Sequence, residues 1–163
     1  MIGYMQRTRS YYSSLGYPAY QWAHYDEVPF TPTARPIGEA TLALITTAAP
    51  YQPTLADQGP GAPYNAAAKF FTAYTRAVNP HPDLRISHLG YDRKHTSAED
   101  PATFLPLGEL EAAVADARLG ALAGELIGVP TNRSRSATLE QDAPAALAAF
   151  RTLNAEVALL VPS

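Results

Sequence analysis

Residues 40–47 read Ala-Thr-Leu-Ala-Leu-Ile-Thr-Thr. The apolar centre is unbroken rather than alternating, the pattern of a strand buried on both faces, as in a parallel sheet. Two other runs resemble it: Leu-Arg-Ile-Ser-His-Leu at 84–89 and Glu-Val-Ala-Leu-Leu-Val at 156–161. Between these strands the spacing predicts a short helix over 65–76 and an amphipathic helix over 107–118. The latter carries Leu107, Leu110, Val114 and Ala117 on one stripe, with Gly120 past its end. A short apolar segment, 121–129, precedes the polar loop 131–136 and a last helix. There Asp142 is expected to cap, Pro144 to sit in the first turn, and Leu147, Phe150 and Leu153 to face the core. The order strand, loop and helix, strand, helices, strand predicts an α/β fold: a small parallel sheet flanked by helices, a Rossmann-like half. Three strands make a small sheet, so residues 40–163 are expected to form an α/β domain that is incomplete at its C-terminus or borrows surface from a partner.

Ahead of that domain, residues 1–39 are expected to form an N-terminal helix and a Pro/aromatic-rich arm. The helix is predicted over 2–15 and ended by Gly16 and Pro18. The arm carries Tyr17, Tyr20, Trp22, Tyr25 and Phe30 among prolines, too aromatic for a flexible linker. A contact surface, a substrate lid and packing onto the protein's own core each account for it. Residues 48–64 read as a long Pro/Gly loop, a length that in compact domains is functional or disordered. Its part 57–65, Asp-Gln-Gly-Pro-Gly-Ala-Pro-Tyr-Asn, fits no phosphate-binding glycine pattern, and its prolines remove N–H donors. A rigid structural loop is the simpler reading.

At 163 residues the chain is one domain by size and long enough to bury a core. Hydrophobic content of 47% against 17% charged residues places it among globular proteins. A net charge of −3 leaves no electrostatic footprint for nucleic acid. No apolar run approaches the ~18 residues of a membrane span, and the first residues lack the apolar core of a signal peptide. The expectation is a cytoplasmic protein with neither nucleic-acid nor membrane partners. The chain has no cysteine, which removes disulfides, thiolate metal sites and cysteine nucleophiles from these residues.

The titratable chemistry concentrates at 88–100, where His88, Tyr91, Asp92, Arg93, Lys94, His95, Glu99 and Asp100 follow the predicted strand 84–89. The carboxyl end of a strand is where open α/β sheets bind ligands. An Asp there can orient a His, and Arg or Lys can hold a carboxylate. A solvated charged turn explains the same composition. His88 and His95 match no zinc spacing, so hydrogen-bonding or substrate roles are preferred to a metal and no cofactor is expected. Asn132 and Arg133, ahead of the last helix, could hold an anion; a plain connector is equally consistent. Ser163 lacks a nucleophile elbow.

Three segments carry a resemblance: Leu42-Ala43-Leu44-Ile45-Thr46-Thr47-Ala48; Ile86-Ser87-His88-Leu89-Gly90-Tyr91-Asp92 with Glu99-Asp100-Pro101 and Leu105-Pro106-Leu107; and Leu119-Gly120 through the terminal Ala155-Glu156-Val157-Ala158-Leu159-Leu160-Val161-Pro162. In order and spacing they resemble the selenoprotein B subunit family of glycine/sarcosine/betaine reductase and D-proline reductase, across nearly the whole chain. The segments at 4–30, 57–65 and 130–134 look like a non-clostridial branch of unassigned substrate. The resemblance implies an oxidoreductase that cleaves a C–N bond of a small amine or amino-acid-like substrate, with thiol/disulfide electron transfer. It further implies a homo-oligomer or a partner reductase subunit. In that chemistry His88 or His95 would pass a proton to the leaving group and Asp92 would orient a histidine. Tyr91, Asn132 and Arg133 would contact the substrate.

The sequence departs from the family at one place. Family members continue past the Val161-Pro162-Ser163 position into a cysteine or selenocysteine motif and a further α/β half. The expectation is therefore the N-terminal part of a selenoprotein, truncated at a UGA codon and inactive by itself. Proteolytic processing and a thiol-free, non-catalytic binding or partner subunit are the alternatives.

Overall fold

The structure, a computed structural model, describes residues 3–20, 22, 24–52, 54, 69–87, 100–131 and 134–163. The chain divides into two compact units, Met1–Pro32 and Thr33–Ser163.

The first unit is built on helix α1, Gly3–Ser14, none of whose residues is buried. Gly16 takes the left-handed conformation, φ 77°, and the Tyr17 N–H returns to the Tyr12 carbonyl at 3.0 Å, closing the helix as glycine caps do. Aromatic edges hold the unit together. Trp22 meets Tyr4 at 5.5 Å and Tyr20 at 4.8 Å between ring centroids, and Tyr12 meets Tyr20 at 5.5 Å.

The second unit is a mixed α/β domain around a five-stranded, mostly parallel sheet. Its axis is β1, Thr41–Thr46. One side of β1 pairs in parallel with β5, Ala121–Leu122, and then with β6, Glu125–Gly128, which take up successive halves of its length. The other side pairs in parallel with β7, Val157–Val161, over the register Leu42↔Val157 to Thr46↔Val161. Strand β3, Tyr74–Ala77, adds to β6 in antiparallel fashion. A separate two-stranded ribbon pairs β2, Ala49–Pro50, with β4, Leu84–Arg85.

The unbroken run in β1 is explained by what covers it: Ala43 and Leu44 are fully buried, and Leu42 nearly so. Leu44, Ile86, Phe104, Leu107 and Leu126 form the centre of the core. Helix α2, Leu107–Ala115, brings Leu107 into it. Gly120 has no room for a side chain, since a Cβ would stand 2.7 Å from the Ala40 nitrogen and 2.8 Å from its oxygen. That close approach lets the Gly120 N–H reach the Ile37 carbonyl at 3.0 Å and start β5.

Four local expectations change. Of the expected strand 84–89, Leu84–Arg85 pair with β2 instead of joining the parallel sheet, because Thr47 and Ala48 turn the chain back after β1, and residues 88 and 89 lie outside the described residues. Tyr74–Ala77 are a strand where a helix through 76 was expected; their backbone pairs antiparallel with β6, from Tyr74↔Gly128 to Ala77↔Glu125. The apolar segment 121–129 is two strands. The last helix begins earlier than Asp142, as α3, Arg135–Ala137, runs through a π-helical stretch, Thr138–Asp142, into α4, Ala143–Thr152. Asp142 is thus mid-helix in φ/ψ and makes no cap bond; Ser134 caps instead, accepting the Ala137 N–H at 3.2 Å. Ala146 is the buried residue of α4, and Leu147 is half exposed. No described helix is long and apolar enough to cross a membrane.

Candidate functional site at the carboxyl edge of the sheet

Parallel strands bring their carboxyl ends to one edge, and open α/β folds bind ligands there. In this domain three segments meet at it: 46–48 after β1, 128–130 after β6 and 161–163 after β7. Each junction is closed by polar groups. The Val129 N–H donates to the Thr46 carbonyl at 2.9 Å. The buried Thr46 hydroxyl accepts the Ala48 N–H at 3.1 Å and turns the chain. Thr47 clasps Ser163: its Oγ1 accepts the Ser163 N–H at 2.7 Å and donates to the Ser163 carbonyl at 3.0 Å.

Tyr74 locks the edge from β3. Its hydroxyl donates to the Ala48 carbonyl at 2.6 Å, and its ring lies where a side chain at Gly128 would be. Burial pushes its phenol well above the usual tyrosine value, against a smaller lowering by Arg76, so it stays protonated and a donor. Its role is to hold two chain ends together.

Beside this edge, between the sheet and the helix 135–152, lies a groove of about 430 Å³. Ile45 of β1, Leu160 of β7, Val129 and Pro130 form its floor, and Ala143 and Phe150 face them from α4. The walls are almost wholly apolar. The exception is the π-helical stretch, which contributes Thr138 and Asp142. Asp142 is only 3% exposed and is partnered. A π turn inserts one residue beyond the α repeat and rotates the side chains after it; such turns recur at ligand sites.

A second polar centre lies on the ribbon. The Arg85 guanidinium, 1% exposed, donates to both carboxylate oxygens of Asp83, at 2.6 and 2.8 Å, and stacks on the Tyr51 ring at 4.5 Å. Sequence reading missed Arg85, because an arginine within an apolar run carries no sign that it will be buried. Its fixed fork lies just before 88–99. Past that segment, Asp100 caps the turn Pro101–Thr103 by accepting the Ala102 N–H at 2.9 Å.

The residues singled out from sequence, His88, Tyr91, Asp92 and His95, lie outside the described residues, as do Asn132 and Arg133. The groove, Tyr74, Asp142 and Arg85 were not anticipated. The groove had one available signal, the apolar residues of β7 and α4 alternating toward a common face. Among the described residues no group of three or more His, Asp or Glu side chains gathers as metal ligands would.

Fold and edge together define a mixed α/β domain with an apolar groove at the carboxyl end of a mostly parallel sheet. No protein-family model, curated protein or solved structure matches the chain.

Proposed function

We propose that the chain is the N-terminal portion of a selenol- or thiol-dependent reductase resembling component B of the glycine/sarcosine/betaine and D-proline reductases. The substrate is a small amine or amino-acid-like molecule. A selenolate or thiolate attacks the carbon bearing nitrogen, and the C–N pair departs with the amine, which takes a proton from His88 or His95. A second thiolate then attacks the sulfur or selenium. Carbon leaves with the bonding pair and takes up a proton, and the two chalcogens end joined as a disulfide or selenosulfide. The substrate is thereby reduced by two electrons and the dithiol oxidised by two. Asp92 orients the histidine; Tyr91, Asn132 and Arg133 contact the substrate.

The observation that supports this reading is the clasp between Thr47 and Ser163. It fixes the run-out of β7 at the same sheet edge as the apolar groove. The chalcogen in this chemistry belongs just past Ser163, in family members, and would be presented at that edge. The 163 residues contain no cysteine and are expected to show no turnover alone.

The test is the gene sequence after codon 163, followed by assay of its product. An in-frame UGA, then open reading frame with a nearby Cys codon, and dithiol-dependent amine release by the selenocysteine-containing product, is the expected result. A UAA or UAG stop with nothing coding beyond it, or amine release by the 163-residue chain alone, overturns the reading. A non-catalytic binding or partner subunit is the second reading. One observation favours it: among the described residues β7 has no strand on its outer side, and Leu160 is 69% exposed.

A further inference from the structure

We infer that the apolar groove between the sheet and the helix 135–152 is a binding site for a small primary amine with a hydrocarbon body. That such an amine is the substrate rests on the reductase reading; its binding does not.

The groove exists because one helix cannot cover strands β3, β6, β1 and β7 lying side by side. A helix is about 10 Å across and spans roughly two strands spaced about 4.8 Å apart. Helix α4 settles toward one side of the sheet, where Ala145 and Ala149 share a cleft with Tyr74 of β3 and Ile127 of β6. Its other flank is left with β1 and β7. There Ala143 and Ala146 of the helix line the groove together with Ala158 of the strand. Three methyl groups leave open the space that leucines would fill. Thr138, Asp142, Ala146 and Phe150 follow at intervals of four, so a single helix face forms the wall along its length.

Volume decides the class of occupant. The 430 Å³ of the groove falls within the range of small-molecule sites, about 300–1,000 Å³. The same space would admit only about one turn of an α-helix, and a bound helix uses anchors spread over about two turns.

Charge decides the head group. Among the lining residues Asp142 alone carries a charge. Its carboxylate is 3% exposed and already partnered within the protein, which holds it in place. A carboxylate has about four lone-pair sites and accepts more than one donor. A ligand ammonium gains a charge-assisted hydrogen bond there. A ligand carboxylate would meet a like charge and no lining Lys or Arg. The apolar walls therefore favour an alkyl or aryl amine over a zwitterion.

The test is titration of the 163-residue chain with propylamine, butylamine, pentylamine and hexylamine, followed by amide chemical shifts. Affinity should rise about fourfold per added methylene, the effect of burying one CH₂, with shifts centred on Ile45, Phe150 and Leu160. Hexylamine should bind about tenfold or more tightly than hexanoate, with hexanol between them. Ala143→Phe fills the groove and should weaken hexylamine about tenfold or more while the thermal midpoint is kept. Ala148→Phe, on the same helix outside the groove, should not. Asp142→Asn should bring hexylamine down to the level of hexanol. No saturable binding, affinity indifferent to chain length or to Ala143→Phe, shifts centred elsewhere, or hexanoate bound as well as hexylamine would each overturn the proposal. A stop codon that removes the reductase reading would leave these titrations unchanged, and their failure would leave the gene-level test unchanged.

Discussion

Replacing Gly128 by alanine probes the tightest junction at the carboxyl edge. The added β-carbon would fall inside the Tyr74 ring, overlapping Cδ1, Cε1 and Cζ. The ring has little freedom to yield. Phe70 meets it edge-on at 5.1 Å, and its hydroxyl is tied to the Ala48 carbonyl at 2.6 Å. Either the Tyr74↔Gly128 pairing opens, or the ring swings out and leaves that carbonyl without its donor. Overpacking of this kind costs about 1–3 kcal/mol, and a lost part-buried hydrogen bond adds about 1 kcal/mol. The sum, roughly 2–4 kcal/mol, lowers the midpoint of a domain this size by about 4–16 °C. Thermal and urea unfolding followed by circular dichroism read it directly. The cost arises from the overlap, so pairing G128A with Tyr74→Leu should recover about 2 kcal/mol relative to the sum of the single changes. A G128A protein within about 0.5 kcal/mol of the parent, or strictly additive single changes, would refute the account.

Three other outcomes follow from the geometry. The Arg35 guanidinium, chiefly by its hydrogen bond, holds the Glu156 carboxyl below its ordinary value of 4.5, with the Thr41 N–H assisting. A depressed folded-state pKa contributes stability above the unfolded value and loses it as pH falls through the folded one. Glu156→Gln should therefore be less stable than the parent at pH 7, and the gap should close as pH drops below 4.5 in parallel urea titrations; a constant gap would contradict this. Asp83→Asn removes the countercharge from the buried Arg85 and should cost about 1–3 kcal/mol by chemical denaturation, whereas a neutral result would mean the remaining contacts of Arg85 suffice. Thr47→Val opens the clasp on Ser163, and loss of about 1 kcal/mol of local protection is expected, read as faster amide exchange at Ser163 with the global midpoint nearly unmoved.

The α/β class was legible because burial on both faces leaves a simple mark, which the run at 40–47 carries; the run at 156–161 reads the same way, yet β7 alternates half-buried and exposed residues. Helices α2 and α4 were legible from a buried stripe in a different period, and α1 from the stop signals Gly16 and Pro18. The ribbon strand β4 was misplaced because Leu84 and Ile86 are as buried as a sheet strand's residues, and burial does not say which partner provides it. Strand β3 was hidden by the alanine-rich stretch before it. The break between β5 and β6 came from two short runs that each satisfy only half of β1. The π stretch, Thr138–Asp142, carries no residue signature that periodicity could read. Arg85 stayed hidden because, although its partner Asp83 is two residues away, its platform Tyr51 reaches it only through the fold.

Strand β1 stands between partners made much later in translation. The bond from the Thr41 N–H to Glu156 closes 115 residues of chain, and Thr47 reaches Ser163 across 116. At about 5–20 residues per second, a ribosome needs on the order of ten seconds to deliver the segment that covers the second side of β1. Through that interval Leu42-Ala43-Leu44-Ile45 stands as a bare apolar strand on the nascent chain. Parallel pairing over such spans is slow and exposed to aggregation, so the last strand to be made decides how long the first stays open.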